Sequence, residues 1–479
     1  MTVFAVESAK CRTAHLRWAS LTVAERLRPV REFRALLVEQ RDALTAAVEA
    51  DVQRVPEEVT ATDLLPTAAG CQFLLTDAER ILRSRRAGRR PLWLVGCHDT
   101  IHHRPHGVVG VIGTWNYPIY LNVIPILHAL TTGNGVMWKP SELTPRTATL
   151  LHDLLLRSGF PPDLITLLPA TREAGPQLVE ADIDFLHFTG SDIVGRMLAA
   201  RLGERLIPSA LELSGCDALV VLADANVPLA AKSAWYGIML NHGQTCLAVR
   251  RVFVQRAVME AFIGELRPLV ASAKLLSLRL PSQLQQASRM IEEARTKGCE
   301  VLQGSEPTAT AMPPTVIVNA TPELAICLEA SFAPVFAVIP FDTTEHLVEM
   351  NARCPFALGA SVFTTHPQSG HELAAKLRTG SVSINDVIVP TAHPATPFGG
   401  RDASGWGVTQ GEEGLLQMTQ PQVVTERRGT FRPHLDAMQK PSPASAEIVS
   451  GMLRMTHGRR WRDRWRGLWQ MLAGMRKSR

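Results

Sequence analysis

The chain has 479 residues, of which 46% are hydrophobic and 20% charged, a composition that indicates an ordinary soluble globular protein of two or three domains. Its eight cysteines are scattered without a CxxC pair, which argues against a zinc cluster or disulfide framework, so we predict no metal site. Residues 425–479 hold 13 Lys and Arg against 4 Asp and Glu, a net +9 that leaves −4 for the body. A mildly acidic body argues against nucleic-acid binding.

No segment has the roughly 18 uninterrupted apolar residues of a membrane span, and the first residues lack the apolar run of a secretory signal. Together with the unpaired cysteines, this predicts a cytoplasmic protein. Basic residues at the C-terminus leave open a position at the inner face of a membrane.

The first elements are predicted to be helical. Residues 20–50 place Leu27, Val30, Phe33 and Leu37 at helical spacing, which predicts an amphipathic helix interrupted at Pro29. Two further helical segments follow to about residue 86. The stretch "PLWLVGCHDTIHHRPHG" at residues 91–107 alternates apolar and polar residues before a turn, and it predicts a short hairpin outside the main sheet.

Short apolar runs and helical stretches alternate from residue 107 onward. The runs "GVVGVIG", "NGVMW", "LITLLP", "DFLHFTG" and "SALEL" form a first set, and "RRVFVQ", "APVFAVIPF" and "ASVFTT" form a second after residue 246. Bare hydrophobic strands separated by helices predict parallel sheets covered on both faces. The expected fold is therefore α/β, with two doubly wound domains and a cleft between them.

Four short stretches carry candidate functional side chains at strand ends or turns. They are "GTWNYP" with Asn116, "WKPSE" with Lys139 and Glu142, "FTGSDIVGR" with Gly190, Ser191 and Gly195, and "LELSG" with Glu212, followed 34 residues later by "NHGQTCL" with Cys246. Each is weak alone, because turn asparagines, solvated Lys–Glu pairs and inert buried cysteines are common. Glu212 stands out, since a carboxylate on an apolar strand costs free energy unless it is paired or protonated.

In this order and spacing the stretches resemble the NAD(P)-dependent aldehyde dehydrogenase superfamily, and "IGTWNYP" with "KPSE" is most similar to its class 3 branch. The likeness extends over residues 17–424, where "ASFAPV", "SINDVIVP" and "TPFGGRDASGWG" resemble later family segments. The resemblance implies that Cys246 is the nucleophile that forms a thiohemiacetal and then a thioester. Asn116 and the Cys246 backbone N–H would bind the oxyanion, and Glu212 would activate water as general base.

The same resemblance implies binding of NAD, with NADP as an open alternative. Lys139 and Glu142 would lie at the adenosine ribose, where a carboxylate suits a 2′-hydroxyl better than a 2′-phosphate. Gly190 and Ser191 would lie beside the pyrophosphate. The remaining expected contacts with the nucleotide are Trp115, Val194 and Phe332.

The domain division expected from the resemblance is as follows. Residues 1–91 and 107–212 form the Rossmann-like NAD-binding domain, 213–400 the catalytic domain, and 92–106 with 401–425 a small β-strand oligomerisation element. Residues 426–456 are expected to be a linker and 457–479 a basic amphipathic helix. Class 3 relatives are usually dimers, so we expect a homodimer. The expected substrate is a small aldehyde, and the scarcity of tyrosine favours apolar aliphatic or aromatic compounds.

The sequence departs from the family at several positions. Ala330 stands where the family has the glutamate that binds the nicotinamide ribose, Ala333 replaces a glycine, and Ser214 and Cys216 replace glycine and lysine. These departures keep a second hypothesis open, a catalytically weakened homologue that serves as a binding or scaffold protein.

The C-terminal stretch "GRRWRDRWRGLWQMLAGMRKSR" is not explained by the enzyme. Trp461, Trp465, Trp469 and Leu472 share one face of a predicted helix whose flanks carry arginines. This pattern fits a peripheral membrane anchor. Packing on a partner subunit or on the body, or a disordered basic tail, remain the alternatives.

Overall fold

The computed structural model describes residues 3–91, 94, 96–429, 435 and 442–477. The chain divides into two compact units. The first comprises residues 1–82 and 104–420, and the second comprises residues 83–103 and 421–479.

The first sheet of the larger unit is the predicted cofactor sheet. Its six strands run, in spatial order, Gly405–Trp406, Ser209–Glu212, Phe185–Thr189, Val108–Ile112, Gly135–Lys139 and Ile165–Leu167. All neighbouring pairs are parallel except Gly405–Trp406, which runs antiparallel to Ser209–Glu212. The direction of winding therefore reverses between Val108–Ile112 and Phe185–Thr189, which is where such sheets bind ligands.

The second sheet has seven strands. They run Glu300–Leu302, Thr315–Val318, Val335–Phe341, Val249–Gln255, Asp217–Val221, Gly359–Phe363 and Ser381–Ile384. Only Glu300–Leu302 is antiparallel to its neighbour. Central strands such as Asp217–Val221 are buried along their whole length, as expected for strands covered by helices on both faces. The predicted α/β fold with two parallel sheets is thus confirmed, and both predicted sets of strands are present.

Helices cover the sheets of this unit. They are Ala5–Ala19, Val23–Glu39, Arg41–Val52, Pro56–Val59, Leu65–Ile81, Tyr120–Thr131, Pro145–Arg157, Ala174–Glu180, Asp192–Glu204, Val227–Met239, Met259–Ala271, Pro281–Thr296, Ala325–Leu328, Thr344–Ala352, Pro367–Lys376 and Gly411–Gln417. Two small strand pairs, Leu276–Ser277 with Ala311–Met312 and Phe356–Ala357 with Arg401–Asp402, complete it.

Pro29 does not interrupt its helix, contrary to the prediction. Val23–Glu39 is continuous through it, and a capping box between Thr22 and Glu25 fixes the helix start. An internal proline costs about 3 kcal/mol of helix stability. Burial of Val30 and Phe33 on the same helix offsets that cost, because packing outweighs local propensity.

The smaller unit contains a three-stranded sheet of order Arg85–Arg86, Cys97–Pro105 and Thr419–Arg427. The predicted hairpin at residues 91–107 is wrong in its pairing, because Cys97–Pro105 is one strand that pairs with the upstream residues Arg85 and Arg86. Leu92, Trp93 and Val95 lie outside the described residues. Residues 401–406, expected in the oligomerisation element, pair instead with Phe356–Ala357 and Ser209–Glu212 in the larger unit.

The predicted linker at residues 426–456 is also partly wrong. Pro443–His457 is a helix, and it packs on a second helix, Trp461–Lys477. Ser442 caps the first of these helices by accepting a hydrogen bond from the Ser445 backbone N–H at 3.2 Å, and Pro443 occupies its first turn. Proline is well tolerated there, so Ser442 and Pro443 of the predicted linker serve as a helix start. Residues 430–434 and 436–441 of that linker lie outside the described residues.

Candidate active site

Cys246 lies in a loop that joins the 3-10 turn Leu240–Gly243 to the strand Val249–Gln255, and its side chain is half-buried. Asn241, His242 and Gly243 all have positive φ angles, of 46°, 55° and 75°, so the chain reverses sharply before the cysteine. Gly243 is required here, because an added Cβ would lie 2.5 Å from the backbone carbonyl carbon of Ala333. The backbone of Gly243 is therefore in close contact with that of Ala333, the residue after Phe332.

Asn116 is buried at the turn after Val108–Ile112 and is tied to the cysteine loop. Its Nδ2 donates to the Gln244 carbonyl at 3.0 Å, and its Oδ1 accepts from the Thr114 hydroxyl at 2.9 Å. The Tyr117 hydroxyl pairs with that of Thr245 at 2.6 Å. Because an amide Nδ2 carries two hydrogens, Asn116 keeps one donor beyond the Gln244 bond.

Glu212 ends the strand Ser209–Glu212 and is 5% exposed. Its carboxylate accepts hydrogen bonds from the hydroxyls of Thr409 and of Thr189, the latter at 3.3 Å. Burial raises the pKa of Glu212 to about 7, and the two threonine hydroxyls partly oppose that rise. A carboxyl with a pKa near neutrality can both accept and release a proton at physiological pH.

The backbone of Cys246 contacts the segment that follows Glu212, because a Cβ added to Gly215 would lie 2.3 Å from the Cys246 carbonyl oxygen. Burial, followed by the charges of Glu212 and Asp217, raises the pKa of Cys246 to about 12, while backbone N–H groups lower it. The sulfur therefore carries its proton at neutral pH in this structure. Because the pKa of Glu212 is near neutrality, its carboxylate is a candidate acceptor for the thiol proton.

The helix Asp192–Glu204 begins at the point where the winding of the first sheet reverses. Ser191 is its N-cap, with its hydroxyl accepting from the Val194 N–H at 3.4 Å, and Val194 is exposed. The Gly190 N–H donates to the Glu212 carbonyl at 3.0 Å, and an added Cβ on Gly190 would lie 2.4 Å from the Phe188 ring. A helix N-terminus with closely approachable backbone fits a pyrophosphate.

Lys139 ends the strand Gly135–Lys139, and its Nζ lies 3.4 Å from Glu142. The other carboxylate oxygen of Glu142 lies 3.0 Å from Nε of the exposed Arg172. Partial burial tends to raise the pKa of Glu142, but its backbone N–H, Arg172 and Lys139 together lower it. The ionised Glu142 carboxylate lies between two cations and can accept hydrogen bonds from the ribose hydroxyls of NAD. If that carboxylate turned away, Lys139 and Arg172 would be left to bind the 2′-phosphate of NADP.

Trp115 and Phe332 come from distant parts of the chain and meet with ring centroids 6.3 Å apart at 55°. They form an aromatic wall next to the segment that contacts Gly243. The two aromatic rings, the helix start at Ser191 and the Lys139–Glu142 pair are together the kinds of groups that bind a dinucleotide.

Two of the departures from the family lie together. Ala330 packs against an apolar cluster that contains Cys216, Phe356 and Ala403, with Cys354 beside it. The resemblance places the family's ribose-binding glutamate at residue 330 and its lysine at residue 216, and in this chain the two positions meet without either charge. Glu329 does not replace the missing group, because its carboxylate bonds to Arg289 and Gln286.

Several residues that support the site were not identified from the sequence. Thr189 lies inside the quoted "FTGSDIVGR", but Thr409 is 197 residues from Glu212, and no spacing signal links the two. Arg54 and Asp63 form a buried ion pair, and Arg54 also donates to the Asn116 carbonyl at 3.1 Å. In the described part of the chain, no group of three or more His, Cys, Asp and Glu could hold a metal ion.

Comparisons with known proteins identify the family of the chain. The model of the aldehyde dehydrogenase family matches residues 3–424. A provisionally named succinate-semialdehyde dehydrogenase [NADP(+)] of Mycolicibacterium smegmatis is 31% identical over 437 residues, covering 88% of this chain and 84% of the relative. The 4,4'-diapolycopene aldehyde oxidase of Methylomonas sp is 30% identical over 420 residues, covering 86% and 79%.

Among solved structures, an aldehyde dehydrogenase of Mycobacterium tuberculosis complexed with NAD+ superposes with a TM-score of 0.83 at 26% identity, covering 89% of this chain and 90% of that one. The match to the family spans both sheets and every candidate site residue. The chain therefore belongs to the aldehyde dehydrogenase family, and it is an NAD(P)-dependent enzyme that oxidises an aldehyde to its acid.

Proposed function

We propose that Cys246, Glu212 and Asn116 are the nucleophile, the general base and the oxyanion donor of this enzyme. The observation that carries the proposal is the convergence of three distant segments. Asn116 donates to the carbonyl of Gln244, two residues before Cys246, and a Cβ added to Gly215, three residues after Glu212, would lie 2.3 Å from the Cys246 carbonyl oxygen. Such convergence is the arrangement that acyl transfer through a thioester requires.

The proposed first step forms a bond between Cys246 Sγ and the aldehyde carbon. The sulfur loses its proton to Glu212, and the carbonyl oxygen becomes an oxyanion. The free Nδ2 hydrogen of Asn116 and the Cys246 backbone N–H stabilise that oxyanion. When bound, NAD or NADP accepts the hydride that leaves the carbon, and a thioester remains on Cys246.

The second step is hydrolysis of the thioester. Once Glu212 has released the thiol proton to solvent, it takes a proton from water and the hydroxide adds to the acyl carbon. The carbon–sulfur bond then breaks, and Glu212 passes this second proton to the sulfur, which releases the acid and the thiol. Thr189 and Thr409 hold the carboxylate of Glu212 while it changes protonation state. A carboxyl with a pKa of about 7 suits a group that cycles in this way.

We propose that Lys139 and Glu142 bind the adenosine ribose, and that Gly190, Ser191 and Val194 lie beside the pyrophosphate. Trp115 and Phe332 would line the nucleotide pocket. The ionised Glu142 favours NAD over NADP, because a 2′-phosphate would meet a carboxylate. The relative of known structure binds NAD+, whereas the mycobacterial relative is named for NADP(+), so both cofactors belong in the test.

The proposed substrate is an apolar aliphatic or aromatic aldehyde. Both tyrosines near the site have their hydroxyls occupied, Tyr117 by Thr245 and Tyr120 by the Thr391 carbonyl at 2.9 Å. Neither is free to bind a polar substrate group. The names of the relatives include both a semialdehyde and a polyene aldehyde, so a substrate panel should span those two chemistries.

Three finer features remain part of the proposal: kinship with the class 3 branch, a homodimer, and peripheral membrane contact through the C-terminal segment. Support for the dimer comes from Thr419–Arg427, which is an edge strand with Val423 and Val424 exposed. The exposed valines of this edge strand offer apolar side chains to a second copy.

The test is a kinetic profile of the full chain with hexanal, benzaldehyde and succinic semialdehyde, each with NAD and with NADP, followed by absorbance of the reduced cofactor. Cys246→Ser should lower kcat at least ~10³-fold. Glu212→Gln should slow both the first turnover of reduced cofactor and the steady-state rate, because the amide accepts a proton neither from Cys246 nor from water.

The matched control is Cys299→Ser, since Cys299 is another half-buried thiol and lies outside the site. It should keep kcat within about twofold of the wild type. Cofactor binding without turnover of any aldehyde would favour the scaffold hypothesis instead. Undiminished turnover by Cys246→Ser would refute the assignment of the nucleophile.

A further inference from the structure

The described tail residues 442–477 form a helical hairpin, which we call the tail hairpin. Its helices Pro443–His457 and Trp461–Lys477 are joined by three residues, 458–460. The helices are antiparallel, because Lys477 pairs with Glu447 at 2.7 Å near one end and Arg454 donates to Gln470 at 3.3 Å near the other.

Glycines allow the two helices to approach closely. A Cβ added to Gly451 would lie 2.4 Å from the Met471 backbone nitrogen, and one added to Gly467 would lie 2.4 Å from that of Met455. Two helical turns further on, a Cβ added to Gly474 would lie 2.8 Å from the Ala444 carbonyl oxygen. The hairpin is therefore held by contact between backbones along a line of small residues.

The tryptophans take no part in this packing. Gly467 and Gly474 face the partner helix, and Trp465 and Trp469 lie on the opposite side of their helix, since residues are spaced by 100° around the axis. Trp461, Trp465 and Trp469 are 68%, 54% and 63% exposed, and Leu472 is 37% exposed. The predicted apolar stripe thus faces solvent, and packing of the two helices does not account for it.

Basic side chains surround the stripe. The tail hairpin carries eight Lys and Arg against two Asp and Glu, a net charge of +6. Arg462 and Arg466 are exposed on the tryptophan helix, and the Arg462 guanidinium lies 5.8 Å from the ring centroid of Trp461. This combination of exposed indole rings and cations selects a partner that is both apolar and negatively charged.

We propose that the tail hairpin docks its tryptophan face on the surface of an anionic lipid bilayer. This inference rests on the proposed peripheral contact and names its face and its lipid chemistry. Indole rings partition into the interfacial layer, and arginines bind anionic headgroups beside them. In the described part of the chain, no helix is long and apolar enough to cross a bilayer.

A second copy of the chain fits this face less well. Two tryptophan faces brought together would also bring together two hairpins of charge +6 each, which repel one another. An anionic surface attracts the same charge. The charge therefore separates a lipid surface from self-association as the occupant.

The experiment is sedimentation of the full chain with phosphatidylcholine vesicles, with or without about one-third phosphatidylglycerol. We expect sedimentation with anionic vesicles and little with neutral ones. The double variant Trp465→Ala/Trp469→Ala should lose at least ~10-fold in apparent affinity. Arg462→Gln and Arg466→Gln should each lose roughly fivefold and flatten the salt dependence.

The control is Tyr236→Ala, which removes an exposed aromatic side chain of the larger unit and should sediment like the wild type. Equal binding to neutral and anionic vesicles, or unchanged binding by the tryptophan variant, would overturn the proposal. So would a wild-type dimer that the tryptophan variant turns into a monomer, with no vesicle binding by either.

Failure of this proposal is distinguishable from failure of the catalytic one. The tail variants should oxidise a water-soluble aldehyde at the wild-type rate, whereas Cys246→Ser should bind vesicles normally. Loss of vesicle binding with intact turnover removes only the docking face.

Discussion

Glu212 is held in an environment that opposes its own charge. The side chain is buried, which raises its pKa to about 7, and the hydroxyls of Thr189 and Thr409 only partly compensate. A glutamate in the unfolded chain titrates near 4.5. Between these two values the folded protein binds the proton more tightly than the unfolded chain does, so the free energy of unfolding must fall as pH rises.

Glu212→Gln should remove this pH dependence. The pKa of Glu212 differs by about 2.5 units between the folded and unfolded states, which corresponds to roughly 3 kcal/mol of unfolding free energy at low pH. The wild type loses this contribution fully above pH 7, and the variant never has it because an amide does not titrate. Urea unfolding at pH 5 and pH 8 measures it. The variant should gain stability relative to the wild type by about that amount between the two pH values. A constant difference would show that Glu212 titrates normally.

Glu142 controls the choice between cofactors through its two cationic neighbours. Removing its charge with Glu142→Gln should raise kcat/KM for NADP relative to NAD by at least ~10-fold, because Lys139 and Arg172 then meet the 2′-phosphate without a competing carboxylate. Adding Arg172→Ala should reverse part of this gain. The measurement is kcat/KM for each cofactor, and an unchanged ratio would remove Glu142 from the ribose site.

At the scale of elements, the candidate catalytic side chains lie at strand ends and turns, and a buried ion pair fixes the turn that carries Asn116. Asp63 is fully buried; its Oδ1 accepts from the N–H groups of Ile119 and Tyr120 at 3.1 and 3.0 Å, and its other oxygen bonds to Arg54. Arg54 in turn holds the Asn116 carbonyl and lies 4.6 Å from the Tyr117 ring centroid. The turn that presents Asn116 is therefore fixed from behind by charge.

Asp63→Asn should destabilise the protein by about 3–5 kcal/mol, because it leaves the buried Arg54 without its carboxylate. Glu58→Gln is the matched control, since Glu58 contacts the same guanidinium at 3.2 Å but is partly exposed. Its cost should stay below about 1 kcal/mol. Thermal unfolding of both variants compares the two, and equal costs would contradict the assignment of Asp63 as the main counter-charge.

At the scale of the whole molecule, the catalytic body and the tail follow different rules. The family model ends at residue 424, and the tail hairpin at residues 442–477 lies beyond it. The body buries its apolar side chains around two sheets. In the tail hairpin, glycines pack the two helices against each other and the tryptophans stay exposed. We therefore interpret the tail hairpin as a docking element.

The sequence by itself determined the fold class and the strands, because short apolar runs are local signals. Through motif spacing it also supplied the candidate site residues, whose roles stay a prediction. It also revealed the loss of charge at Ala330 and Cys216, although as two separate events. It was wrong at Pro29, at the pairing of Cys97–Pro105 and at the linker, where burial or long-range pairing overrides local propensity.

Only the tertiary structure decided which residues support the site. Thr409 and Glu212 are 197 residues apart, and Arg54 and Asn116 are 62 apart, so no local pattern links them. The same holds for the tail, where the sequence placed the tryptophans on one face of a helix. Only the packing of the two helices showed that the glycine face is buried between them and that the tryptophan face is exposed. Contacts between distant segments depend on the shape of the folded chain, and that shape is not written in any short window of sequence.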